Sequence, residues 1–89
     1  SFFKVKGHSM EPEILEGSFF IASIIPFWFA PPKIGDTILF DSNGKTIVKK
    51  IINFDDGKYF VEGENKLDDK KFPPIERSEI LGKVVLKLT

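Results

Sequence analysis

Asn43-Gly44 lies between two runs rich in branched apolar residues, "DTILFD" (36–41) and "TIVKKIINF" (46–54), and no other feature narrows the fold as much. A two-residue hairpin turn needs positive φ at both central positions, and Asn and Gly are the residues that reach it most cheaply. The pair therefore predicts an antiparallel hairpin. Asp56-Gly57 repeats the signal and leads into "KYFVEG" (58–63).

The remaining apolar runs are short and punctuated. "FFKVKG" (2–7) alternates weakly and stops at Gly7, "SFFIASII" (18–25) is stopped by Pro26, and "EILGKVVLKL" (79–88) closes the chain as a strand broken by Gly82. One candidate helix stands out near residues 10–16, in "MEPEILEG", with Pro12 in the first turn and Gly17 at the C-terminal end. The expected fold is mostly β: a small barrel or packed antiparallel sheets of short strands, with at most that one short helix. With 89 residues and no linker or repeat, residues 1–89 form one domain whose core leaves room for a single site.

Charge and composition remove several function classes. Thirteen Lys and Arg balance thirteen Asp and Glu without a basic run, which argues against nucleic acid as a partner. Cysteine is absent and histidine occurs once, so neither a disulfide framework nor a zinc centre is expected, and no cofactor is called for. No run approaches the roughly 20 apolar residues of a spanning helix. The chain begins abruptly inside an apolar pattern, which predicts that the natural protein continues upstream.

Candidate chemistry concentrates in "VKGHSMEPEIL" (5–15) and in "TIVKKIINF". Taken alone, Ser9 reads as an N-cap of the following turn. As a nucleophile it needs a base, and neighbouring His8 would point to the opposite face of an extended chain. A desolvated lysine can serve, because burial disfavours the ammonium form. Alternation sets Ile47, Lys49 and Ile51 on one face and Val48, Lys50 and Ile52 on the other, so each lysine sits in an apolar row and periodicity does not choose between them. Lysines that blunt a strand edge would give the same pattern.

The order of "GHSMEPEILEGSFFIAS", "PPKIGDTILF", "TIVKKII", "VEGENKLDDKKF" and "EILGKV" resembles the signal peptidase I family of membrane-bound serine/lysine proteases over nearly the whole chain. Gly-x-Ser-Met-x-Pro at residues 7–12 is the most specific element, followed by Pro-Lys-x-Gly-Asp at 32–36 and Val-Lys-Lys at 48–50. The resemblance implies Ser9 as nucleophile and Lys49 as general base. It also implies that the Ser9 N–H donates to the oxyanion, a contribution typically about 3 kcal/mol per donor. Gly7 stands where the family often has a serine hydroxyl. The "GENKLDDKKF" box carries Asn65, Asp69, Lys71 and Phe72 at family positions, with Asn65, Asp69 and Lys71 expected to support the site from behind. Val5, Gly7, Met10, Ile14, Ile47 and Val48 match substrate-binding positions, and the implied substrates are precursor proteins with signal peptides, cut after small residues.

In "FFIASIIPFWFAPP" (19–32) the part after Pro26 cannot continue a strand, so Phe27, Trp28 and Phe29 are expected to form an exposed patch that contacts the bilayer surface. The expected location is the cell membrane, with the site on its extracytoplasmic face. Two other readings compete: the self-cleaving domain of LexA-type repressors, which shares the Ser-Met and lysine motifs, and a non-catalytic β module that binds peptides or membranes.

Overall fold

The computed structural model describes residues 2–4, 10, 11, 14, 16–63 and 71–88. Six strands, β1 (Phe2–Lys4), β2 (Phe19–Ser23), β3 (Thr37–Ser42), β4 (Lys45–Asp55), β5 (Lys58–Glu62) and β6 (Ile80–Leu88), form one antiparallel sheet in the order β1-β2-β6-β3-β4-β5. The mostly-β expectation holds.

Both glycine turns behave as the sequence demands. Asn43 (φ 51) and Gly44 (φ 78) join β3 to β4, and Asp56 (φ 50) and Gly57 (φ 75) join β4 to β5, each pair reaching the doubly positive geometry of a two-residue hairpin. Ser42 opposite Lys45 and Asp55 opposite Lys58 fix the two registers. A third turn builds the start of β3 from the Pro-Lys-x-Gly-Asp segment. The Asp36 N–H donates to the Lys33 carbonyl at 3.0 Å, with Gly35 (φ 99) in the position that requires left-handed backbone. The Asp36 carboxylate then accepts the Lys33 N–H at 3.0 Å.

The single sheet carries a core on each face. Ile38 and Phe40 of β3 pack with Ile51, Tyr59, Val61, Ile75 and Ile80, whereas Leu39, pointing the other way, packs with Met10, Ile14, Phe20 and Ala22. Five of these side chains are almost wholly enclosed: Phe20, Phe40, Ile38, Leu39 and Ile51. On the second face Phe3 stacks on Phe20 with ring centroids 5.4 Å apart.

A one-turn helix, α1 (Pro26–Phe29), follows β2, while in the segment expected as a helix near residues 10–16 the Ile14 N–H donates to the Met10 carbonyl at 2.8 Å and residues 12, 13 and 15 lie outside the described residues. One expectation is corrected. Gly82 does not break β6, which runs unbroken through it. A Cβ there would stand 3.1 Å from the Ser23 carbonyl oxygen, so the glycine is what lets β2 and β6 approach.

Candidate active site

β4 gives the two lysines different surroundings. Lys49 lies directly opposite Ile38 and therefore on the face of the Ile38–Phe40–Ile51 cluster, where it is only 4% exposed. Lys50 is half-buried, opposite Thr37 on one side and Glu62 on the other. The alternation does not persist to the end of the strand. The β4–β5 register shifts between Ile51 and Asn53, and Ile52 is 47% exposed while Ile51 is fully enclosed. The second apolar row is thus interrupted, and Lys49 is the lysine held in an apolar wall.

The enclosure of Lys49 is completed from beyond β5. Phe72 places its ring 5.4 Å from the Lys49 Nζ and meets Phe40 edge-on, with centroids 5.6 Å apart and planes at 86°. The last residue of the "GENKLDDKKF" box thus reaches the lysine. Lys71, beside it, is exposed.

The substrate-binding positions divide between the two faces. Ile47 packs against the cluster that contains Ile38, and Val48 against the cluster that contains Leu39. Met10 and Ile14, each 2% exposed, belong to that second cluster and act as core. Met10, which follows Ser9 in sequence, therefore shares a cluster with Leu39 and Val48, the chain neighbours of Ile38 and Lys49. Val5, Gly7, Ser9, Asn65 and Asp69 lie outside the described residues.

Backbone direction along β4 adds a feature that residue types do not show. The Ile51 N–H donates to Asp36 O and its carbonyl accepts from the Gly35 N–H, both at 2.9 Å, so Ile51 turns its polar backbone toward β3. By alternation Thr46 and Val48 turn theirs the opposite way. β5 pairs with β4 only from Lys50 onward, and among the described residues no strand covers the outer edge of Lys45–Lys49. An extended chain could pair there, beside Lys49.

Elsewhere, Asp36 is buried and pairs with Lys83 at 3.3 Å. The two contribute to a groove of about 500 Å³ that also involves Ile14, Thr37 and Lys87 and does not include Lys49. In α1, Trp28 and Phe29 are 69% and 85% exposed, as the membrane-patch expectation requires of them. Phe27 departs from it: the side chain turns inward, packs against the first core and lies under the Arg77 guanidinium at 5.2 Å. One helical turn cannot present three consecutive side chains to the same side. Among the described residues no group of His, Asp and Glu could hold a metal ion, and no helix is long and apolar enough to cross a membrane.

The sheet thus encloses one lysine beside a strand edge that no described strand covers. Residues 1–85 match the Peptidase S24-like family, and the chain belongs to it. Comparison with curated proteins gives no match.

Proposed function

We propose that the chain is the catalytic domain of a Ser9/Lys49 endopeptidase of signal peptidase I type, cutting exported precursors after small residues. The observation that carries the reading is Lys49, 4% exposed in an apolar wall, in a chain of the Peptidase S24-like family. Neutral Lys49 takes the proton of the Ser9 hydroxyl as Oγ attacks the scissile carbonyl, and the Ser9 N–H donates to the oxyanion. The protonated lysine then hands its proton to the leaving amine, giving an acyl-enzyme and the first product. A water deprotonated by the same lysine releases the second. The substrate binds extended, pairing with the Thr46 and Val48 backbone groups, so affinity comes from main-chain hydrogen bonds.

Trp28 and Phe29 support a site of action at a bilayer surface, because exposed aromatic side chains gain most at the boundary between headgroups and acyl chains. The test is cleavage of an Ala-x-Ala peptide, in lipid, by wild type, Ser9→Ala, Lys49→Ala and Lys50→Ala. Loss in the first two variants with retention in the third is the expected result. Cleavage confined to the protein's own chain would assign it instead to the self-cleaving LexA type, and no cleavage of either kind would leave a binding module.

A further inference from the structure

The contact between Phe72 and Lys49 adds a function to the ring. We propose that Phe72 is a positioning residue whose ring face fixes the Lys49 amine in the resting enzyme, holding it as an ammonium until substrate enters. The inference rests on the assignment of Lys49 as base.

Three observations carry it. The Lys49 Nζ stands over the ring face at 5.4 Å, within the range at which a ring quadrupole attracts a cation. The ring is held in that orientation by edge-on packing against Phe40, a fully enclosed side chain that cannot move aside. The ring also closes a side of the sheet on which Ile38, Ile47 and Ile51, three of the described neighbours of Lys49, are aliphatic.

Burial and the ring thus act on the amine in opposite directions. Withdrawal from water favours the neutral form, and the ring face favours the charged one. A substrate strand on the edge at Thr46 and Val48 would exclude water further and shift the balance toward the neutral base. Among the described residues, the charged and titratable groups on this side include Lys83 with its partner Asp36 beyond Ile38, Tyr59 on β5, Lys45 at the start of β4, Arg77 over the Phe27 ring, and Lys71 beside Phe72 in sequence.

The test follows the Lys49 amine directly, by NMR titration of the labelled side chain in wild type, Phe72→Leu and Phe72→Tyr. Leucine keeps apolar bulk and removes the ring, so the titration midpoint should fall by roughly half to one pH unit. Tyrosine keeps the ring face and should titrate as wild type does. In Ala-x-Ala cleavage, the acidic limb of the kcat/KM profile should move down with the midpoint in Phe72→Leu, with the plateau kcat reduced and KM retained. Should Phe72→Leu fail to fold in thermal unfolding, Phe72→Met makes the same comparison. A midpoint unmoved by leucine, or moved equally by tyrosine, overturns the proposal. If wild type cleaves no peptide, the proteolytic reading fails, and the titration still decides whether Phe72 governs Lys49.

Discussion

The Asp36 carboxylate and the Lys83 ammonium meet at 3.3 Å, joining the turn that starts β3 to the middle of β6. The same carboxylate accepts the Lys33 N–H at 3.0 Å, so one buried group closes the turn and ties two strands together. Replacing Asp36 by Ala leaves the turn amide and a part-buried ammonium unanswered, and the expected loss is about 2–4 kcal/mol. Asp36→Asn can still accept the amide and should lose roughly half as much. Urea unfolding of the two variants measures the difference, and equal losses would show that the turn bond contributes nothing.

Gly35 and Gly82 predict destabilisation by different causes. At Gly35 (φ 99) an added Cβ meets nothing within 4 Å, so Gly35→Ala costs only backbone strain, about 1–2 kcal/mol. At Gly82 the φ is ordinary and the Cβ meets the Ser23 backbone at 3.1 and 3.2 Å, so the β2–β6 seam must open. Amide exchange separates the cases. Gly82→Ala should weaken protection along β2 and β6, and Gly35→Ala should lower stability without singling out that seam. Loss of protection at the seam in both variants would refute this.

Lys49 should lower stability where it stands. Its amine lies among Ile38, Ile47 and Ile51 with 4% exposure, where burial penalises the charged form, and groups placed for chemistry commonly cost stability. Lys49→Met is expected to raise unfolding stability by about 1 kcal/mol or more while abolishing cleavage, and Lys50→Met to change neither much. A Lys49→Met variant less stable than wild type would mean that the lysine supports the fold.

How much of this was legible in the sequence depended on whether the determining physics was local. Asn43-Gly44 and Asp56-Gly57 announced their hairpins because positive φ is a property of two adjacent residues. The Pro-Lys-x-Gly-Asp segment was visible as a motif, but its role as a turn closed by the Asp36 side chain was not, because Lys83 lies far along the chain. Alternation could not separate Lys49 from Lys50, since the irregularity at Ile52 that interrupts the second row is set by pairing with β5. Phe72 was recognisable as part of a family box, yet its place over Lys49 depends on how the chain returns after β5.

The aromatic tip gives the last prediction, and the chain supplies its own probe. Trp28 is the only tryptophan, and it is 69% exposed beside Phe29 at 85%, so its fluorescence reports on this surface alone. If α1 enters a bilayer interface, adding phospholipid vesicles should shift the emission to the blue as the indole leaves water. Phe29→Ser retains the probe and removes the more exposed ring, and should weaken partitioning by roughly ten- to hundredfold, the order of 1.5–3 kcal/mol for burying such a side chain. Because neither ring is buried in the fold, the unfolding stability of that variant should stay within about 0.5 kcal/mol of wild type. Phe27, packed against the core and under Arg77, behaves oppositely: Phe27→Ser should destabilise the fold. Emission unchanged at saturating lipid would remove the bilayer from the mechanism and leave the peptidase reading to stand on Lys49 and the edge of β4.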